Sequence, residues 1–251
     1  MASPWSAYND LAWTDDWLVD PAEYEGEVET YVDLIKGHAT KPPNTLLHLG
    51  SGAGGQDRFF KRYFTVTGVD LSPGMLKKAR ITHPDIEYIE GDMRTLRMNR
   101  QFDVVVIPDS IDYMSSLEDL QQAIQTAALH LKSRGVLLVV AKTEETFRNN
   151  NFAYSGERDG LHVTLFENNY INPFRPNTYE AYFVYLIRKQ GDLTVHTENH
   201  VLGLFSQATW EQVFSDADLS MQNTSLNGIY DKYLLSDGDY PLTVFVGQKA
   251  F

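Results

Sequence analysis

The sequence predicts an α/β protein: a parallel sheet wrapped by helices, with an antiparallel sheet inserted late in the chain. Three observations carry this. Strand-like and helix-like segments alternate from residue 45 to 141 at a spacing of roughly 20–30 residues, as right-handed β-helix-β crossovers require. A glycine-rich turn, LLHLGSGAGG (46–55), stands between the first such strand and the next helix. Beyond residue 150 helical spacing gives way to long polar/apolar alternation, the period of a half-buried strand.

Taken in order, the first 40 or so residues read as helical. Val28, Tyr31, Val32 and Ile35 share one helix face, and the pattern fades at Gly37. Lys41–Pro42–Pro43–Asn44 is a turn. Thr45 to Leu49 is a short apolar run, a buried strand. Gln56 to Phe64 fits a helix with Phe59, Phe60 and Tyr63 on its apolar side, and Thr65 to Val69 is a second strand ending at Asp70. Ser72–Pro73 supplies a cap residue followed by proline at the first helical position. Ile86 to Ile89 is a third strand, closed by Glu90–Gly91–Asp92. Val104 to Ile107 is a fourth, Leu117 to Leu131 a long helix, and Gly135 to Ala141 a fifth strand.

Leu161–Ile171, Tyr179–Arg188 and Leu193–Leu204 then predict about three antiparallel strands, separated by turn signals at Asn172–Pro173 with Pro176–Asn177 and at Gln190–Gly191–Asp192. Thr209 to Ala217 returns to helix and Thr243 to Gly247 is a last strand, antiparallel to the rest. The expected organisation is therefore an N-terminal helical cap (1–44), an α/β core (45–150), an antiparallel insertion (151–205) and a return to the core (206–251). A sheet inserted after the fifth strand lies near the carboxyl ends of the core strands, where open α/β sheets bind ligands. It is expected to cap a small-molecule pocket.

Composition bounds the partners. Twenty-one Lys and Arg against 34 Asp and Glu give a net charge of −13, which argues against nucleic acid or an anionic membrane surface. No apolar run approaches the ~20 residues of a membrane span. The opening MASPWSAYNDLAW lacks the basic-then-apolar order of a signal peptide, and the absence of cysteine removes disulfides, thiolate metal sites and thiol nucleophiles. A cytoplasmic protein acting on a small neutral or cationic molecule is expected, with no nucleic acid and no membrane; a homodimer is a further expectation. No metal site is expected, and no G-x-S-x-G elbow points to a hydrolase.

The glycine loop can be spelled G-x-G-x-x-G (Gly50, Gly52, Gly55) or G-x-G-x-G (Gly50, Gly52, Gly54). The first suggests a dinucleotide such as NAD, the second S-adenosylmethionine. Glycines let backbone approach a ligand and precede a helix N-terminus. Asp70, 20 residues past Gly50, can accept from ribose hydroxyls in either case. Gly91–Asp92–Met93 places a carboxylate and an apolar side chain after the third strand, where an adenine could meet both. Met75, in VDLSPGMLKKA, can pack on the nucleoside.

Together LLHLGSGAGG, VTGVDLSPGMLKKAR, IEYIEGDMRTL, FDVVVIPDSIDYM and HLKSRGVLLVVAKT resemble, in order and spacing, the class I S-adenosylmethionine-dependent methyltransferases over Thr45 to Thr143. GERDGLHVTLFENNY, HTENHVLGLFSQATWEQVFSDADL and TVFVGQ extend the likeness, which is nearest to the small-molecule N,N-dimethyltransferases of amino sugars. The resemblance implies a Rossmann-like fold with a mostly parallel seven-stranded sheet, an antiparallel last strand and an antiparallel cap sheet. It implies S-adenosyl-L-methionine as cofactor and S-adenosyl-L-homocysteine as product. Gly50 and Gly52 would approach the methionine end, Asp70 would bind the ribose with Leu71 against the adenine, and Ser51 is a further cofactor-binding candidate. Asp92 would take the adenine amino group with Met93 beside it, backbone at Ile107–Pro108 would flank the thioether, and Tyr24 would serve the cofactor carboxylate. Tyr113 and Tyr8 are the catalytic candidates.

The chain departs from that family in having His48 where Asp is usual, in Asp20–Pro21–Ala22–Glu23–Tyr24 where a G-K-D-Y segment stands, and in LSDGDYPL where a glycine-rich segment precedes the last strand. The expected reaction is methylation of an amine, in which a carboxylate, His or Tyr takes the proton. Asp109, Asp112 and Tyr113 cluster after the fourth strand for this. O-methylation of a hydroxyl or carboxylate, a non-catalytic cofactor-binding relative and a nicotinamide dehydrogenase are the alternatives. His196 and His200 alternate onto one strand face and read as surface or cap-packing residues. Trp5, Trp13, Trp17, Phe166, Tyr170, Tyr182 and Tyr185 are candidates for an aromatic pocket wall.

Overall fold

The computed structural model describes residues 5–19 and 21–250. A seven-stranded sheet has the order β10-β11-β5-β4-β1-β2-β3, and a separate four-stranded sheet the order β6-β7-β8-β9. The core strands are β1 (Thr45–Leu49), β2 (Thr65–Asp70), β3 (Glu87–Glu90), β4 (Phe102–Pro108) and β5 (Leu131–Ala141). All pair in parallel. The last strand β11 (Leu242–Lys249) runs antiparallel to both β5 and β10 (Leu219–Leu226). The predicted antiparallel end strand is thus present.

The central strands β1, β4 and β5 bury both faces, whereas the edge strand β3 leaves Glu87 and Glu90 exposed. Leu46, Val104, Val106 and Leu138 pack on one side with Val28, Tyr31, Val32 and Ile35 of α2 (Pro21–His38) and with Leu76 of α4 (Pro73–Thr82). The residues between them, Leu47, Val105, Ile107 and Leu137, meet Leu120 and Ile124 of α5 (Leu117–Leu129) and Trp210 and Phe214 of α6 (Gln207–Asp216) on the other. The period-2 alternation of a strand therefore sorts successive apolar residues onto the two helical layers. Ser72 caps α4 as its position predicts, its Oγ accepting from Met75 N at 3.3 Å.

Three expectations need correction. The helix after the glycine loop, α3 (Asp57–Phe60), is much shorter than 56–64, and the chain leaves it by turns. Phe59, Phe60 and Phe64 are buried while Tyr63 is exposed, with Lys36 over its ring. The inserted sheet has four strands rather than three. β6 (Asn150–Arg158) forms a hairpin with β7 (Leu161–Tyr170) through Asp159–Gly160, both at positive φ, as a tight two-residue turn demands. β8 (Thr178–Lys189) and β9 (Asp192–Gly203) complete the sheet. Finally, β10 lay outside every predicted strand because LSMQNTSL is an edge strand whose middle faces water, so it carries no apolar alternation. Ahead of α2 lie two short 3-10 turns, Ser6–Tyr8 and Ala12–Thr14, and the single-turn helix α1 (Asp15–Leu18).

Candidate active site

A cavity of about 810 Å³ opens at the carboxyl ends of the core strands. Its floor is the set of residues that directly follow those strands: Gly50–Ala53 after β1, Leu71 and Ser72 after β2, Gly91–Arg94 after β3, Asp109 and Ser110 after β4, and Lys142 after β5. Its roof comes from the cap sheet through Tyr154, Glu167, Tyr179 and Phe183, from the N-terminal segment through Trp5, Tyr8 and Tyr24, and from Tyr230 and Tyr240. All twelve predicted site residues (Tyr8, Tyr24, Gly50, Ser51, Gly52, Asp70, Leu71, Met75, Asp92, Met93, Pro108 and Tyr113) line this one cavity.

In the floor, Gly50 and Gly52 have φ of +77° and +54°. A side chain at Gly50 would collide with Ser110, whose Oγ would lie 2.1 Å from the added Cβ, so only glycine fits. At Gly52 an added Cβ meets nothing within 4 Å: the backbone there faces open space. Asp70 is clamped by two backbone donors, Gly52 N and Ser72 N, each at 2.8 Å. Burial nonetheless pushes its carboxyl above the usual range. Asp92 accepts from the backbone N, Nε and Nη2 of Arg94, which also binds Asp119 at 2.7 Å. Burial works to raise Asp92, but Arg94 outweighs it and holds the carboxyl low. Nε is shared between both oxygens, so each Asp92 oxygen takes two contacts from Arg94.

His48, at the end of β1, is buried and bonds Asp57 Oδ1 through Nδ1 at 2.7 Å, while Tyr88 Oη donates to the other Asp57 oxygen. Asp57 therefore supplies a buried carboxylate directly behind His48. His48 Nε2, Ser51 Oγ and Asp109 Oδ1 are buried at the cavity without a hydrogen-bond partner. Unsatisfied buried polar atoms are costly, and three at one cavity, beside an open glycine turn and a clamped carboxylate, fit a polar nucleoside-containing ligand.

The other half is aromatic and acidic. Tyr113, closing the 3-10 turn Ser110–Tyr113 after β4, hydrogen-bonds Tyr8 Oη and, at 2.8 Å, His200 Nδ1. Asp112 is buried. Burial pushes its carboxyl up to about 6, against the pull of Lys142 at 2.9 Å. Lys142 lies 3.8 Å from Asp109 as well. Burial disfavours its ammonium, but Asp112 first, then the neighbouring phenols and Asp109, hold its pKa well above normal. Asp109 itself adopts φ +54°, a strained backbone at the point where β4 turns into the site. Tyr179 and Tyr230 donate to Asp112 and Asp109 respectively, both at 3.2 Å.

Some expectations fail here. Of the proposed aromatic wall only Trp5 reaches the cavity. Trp13, Trp17 and Tyr185 pack beneath the cap with Leu11, Leu18 and Val163, and Phe166, Tyr170 and Tyr182 face solvent. His196 is exposed, but His200 is fully buried in direct contact with Tyr113. Asp20 lies outside the described residues. Lys142, Arg94, Glu167, Tyr230 and Tyr240 are site residues that sequence reasoning did not single out. Lys142 had a signal, since it is the first residue after the fifth strand; the two tyrosines follow no periodic pattern.

This fold and floor define a class of protein: an enzyme that moves a methyl group from S-adenosylmethionine. Residues 46–135 match a family described as a methyltransferase domain. The dTDP-3-amino-3,4,6-trideoxy-α-D-glucopyranose N,N-dimethyltransferase of Streptomyces venezuelae is 29% identical over 205 residues, 80% of this chain and 85% of that one. The crystal structure of Streptomyces venezuelae DesVI superposes with a TM-score of 0.77 at 27% identity, covering 91% of this chain and 92% of the other. An S-adenosylmethionine-bound amino pentose methyltransferase of Micromonospora echinaspora, CalS10, shares the fold at TM-score 0.74 and 19% identity over 90% and 92% of the two chains. Residues 46–135 thus form a methyltransferase domain that uses S-adenosylmethionine, and the chain as a whole is similar to methyltransferases that act on small molecules. No helix among the described residues is long and apolar enough to cross a membrane.

Proposed function

We propose that this enzyme N-methylates the amine of a small, amino-sugar-sized acceptor. The observation that carries the reading is the charge of the cavity. Asp15, Asp109, Asp112 and Glu167 line it, and its described cations, Arg94 and Lys142, are each already paired with two carboxylates. Such a lining attracts an ammonium ion. The relatives named for amino-sugar dimethylation support the same acceptor chemistry.

The bound cofactor supplies a methyl group on a sulfonium. We assign its methionine end to Gly50, Ser51, Gly52 and Tyr24, its ribose to Asp70, its adenine to Leu71, Met75, Asp92 and Met93, and the neighbourhood of its sulfur to Pro108. The residues opposite do the rest. Tyr8 and Tyr113 orient the amine and receive its proton, while Tyr154, Tyr179 and Phe183 exclude water, so positioning and desolvation carry much of the acceleration. The cap sheet 151–205 and the N-terminal segment 1–44 are the acceptor-covering units in this reading, over a cofactor-binding core completed by 206–251. A cytoplasmic enzyme that makes no use of nucleic acid follows from the −13 charge and the lack of cysteine.

The test is methyl uptake, read by mass spectrometry, from S-adenosylmethionine to free 3-amino-3-deoxyglucose, to the dTDP-linked 3-amino-3,4,6-trideoxy sugar, and to glucose as the hydroxyl counterpart. Methylation of an amine and not of glucose is expected. Methylation of glucose alone would overturn the reading.

A further inference from the structure

We propose that Tyr8, Tyr113, His200 and Glu198 form a directional proton relay that carries the acceptor's proton from the cavity to the β9 surface. The proposal rests on the amine reading above and extends it to two residues, His200 and Glu198, that lie outside the cavity lining.

The direction of each hydrogen bond follows from its end. Glu198 accepts from the backbone N–H groups of Ser6 and Ala7, the latter at 3.1 Å, and from His200 Nε2 at 3.2 Å. A carboxylate surrounded by donors only accepts, so His200 carries its proton on Nε2. Nδ1 is then a lone pair, and Tyr113 Oη, 2.8 Å away, must donate to it. Tyr113 oxygen in turn accepts from Tyr8 Oη. Every donor points from the cavity toward Glu198, and Tyr8 Oη keeps its lone pairs for an N–H in the cavity.

The scaffold holds this row rigidly. His200 and Glu198 are two residues apart on one face of β9. The imidazole is gripped between Trp5 and Phe183, with ring centroids at 4.6 and 4.8 Å. His200 is fully buried, whereas the Glu198 side chain retains 13% exposure. The row therefore runs from the cavity to the β9 surface.

The chemistry needs such an outlet. When the amine nitrogen bonds to the methyl carbon, it becomes cationic and must lose a proton. The N–H bond breaks toward Tyr8 Oη, its electron pair staying on nitrogen. Tyr8 passes its own proton to Tyr113, Tyr113 to His200 Nδ1, and His200 releases the Nε2 proton to Glu198, which exchanges it with solvent. Neither phenol can be the terminal base: burial holds both above the normal range, Tyr8 adding to the rise at Tyr113 while the hydrogen bond between them works to lower Tyr8. Burial lowers His200, so it too passes the proton on. His200 and Glu198 are accordingly positioning and relay residues, and only the phenols meet the acceptor.

Two measurements decide it. Nitrogen-15 NMR of histidine-labelled enzyme saturated with S-adenosylhomocysteine, with His200→Gln as the assignment control, should show His200 neutral with its proton on Nε2. A proton on Nδ1, or a charged ring at pH 7.5, overturns the relay whatever the acceptor is. In turnover of the dTDP-linked 3-amino sugar or free 3-amino-3-deoxyglucose, Glu198→Gln should lower kcat roughly 10–100-fold, less than loss of a direct acid–base group, with KM within about twofold and Glu198→Asp partly restoring the rate. The acid limb of its kcat profile should move to lower pH, because Glu198 raises the pKa of His200; the other ionisable groups around the row are Tyr8, Tyr113, Tyr179, Tyr185, Glu167, Asp15 and Asp70. An unchanged kcat, or a matching loss of calorimetric affinity for S-adenosylhomocysteine, assigns Glu198 to anchoring the N-terminal segment and refutes the relay. If the wild type methylates neither amine, the acceptor reading fails, and the NMR result still decides the row of hydrogen bonds.

Discussion

Replacing Lys142 with methionine tests whether the acceptor half is held together by its buried ion pair. Lys142 Nζ lies 2.9 Å from Asp112 and 3.8 Å from Asp109, and its side chain is only 13% exposed. Methionine keeps the volume and removes the charge, leaving Asp112 buried with Tyr179 as its remaining side-chain donor. Breaking a buried pair by deleting one partner costs about 3–5 kcal/mol, against a total stability on the order of 5–15 kcal/mol. For a chain of this length that is a fall in Tm of roughly 6–20 °C. The loss should depend on pH. Asp112 is already raised from 3.8 to about 6, so the folded state holds a proton that the unfolded chain releases across that window, and stability drops as pH rises through it. Without Lys142 the carboxyl rises further, so the deficit should be large at pH 8 and shrink at pH 5.5, where Asp112 is protonated. Thermal melts of the wild type, Lys142→Met and Lys142→Met/Asp112→Asn at both values check this. The double variant should recover at least half of the loss at pH 8. A deficit that is the same at both pH values, or undiminished in the double variant, would refute the argument.

Gly50→Ala should lower affinity for S-adenosylhomocysteine at least about 100-fold by calorimetry. A left-handed backbone costs a non-glycine residue roughly 1–2 kcal/mol, and the new Cβ must displace Ser110 and with it the turn. Gly50→Ala/Ser110→Gly removes the collision but not the strain, so it should recover part of the affinity, and wild-type affinity in the single variant would mean that this loop does not hold the cofactor. Glu27 is buried against Tyr31 and Gln56, and burial pushes its carboxyl from 4.5 up to about 7. Wild-type stability should therefore fall by roughly 2–3 kcal/mol as pH rises from 5 to 8 through this group. Glu27→Gln should flatten that slope in urea titrations; an unchanged slope would place the pH dependence elsewhere.

The parts of the fold legible in the sequence are those where one local signal decides. Buried strands with both faces covered read as apolar runs, and the α2 face reads from four residues at helical spacing. Ser72–Pro73 announces α4 because capping chemistry is local. β10 was invisible for the opposite reason: a polar edge strand is specified by its pairing with β11, from Leu219 opposite Lys249 to Leu226 opposite Leu242, and not by its own pattern. β6 fell between the two cases. Its Asp159–Gly160 turn is a hairpin signal, but NNFAYSGER alone alternates weakly. The cofactor half was legible because a residue that follows a core strand must reach the floor. The acceptor half was not, because its contacts join remote elements. Tyr113 and His200 are 87 residues apart, and strand periodicity tells which face His200 occupies but not what stands opposite.

The two halves are also mechanically joined, which bears on how catalysis and cofactor binding communicate. Ser72 Oγ accepts from Met75 N to cap α4 and donates to the carbonyl of Tyr8. Two residues on, a side chain at Gly74 would strike Asn9 Cα and Tyr8 O at 2.7 Å, so the first turn of α4 and the 3-10 segment are in backbone contact. Leu71 and Met75, assigned to the nucleoside, flank that contact on the cavity side, and Tyr8 projects from it toward Tyr113. Whatever orders the first turn of α4 therefore orders Tyr8. The phenol pair and the row behind it are aligned by the same serine that shapes the cofactor floor, so filling the floor limits the freedom of the group that meets the acceptor.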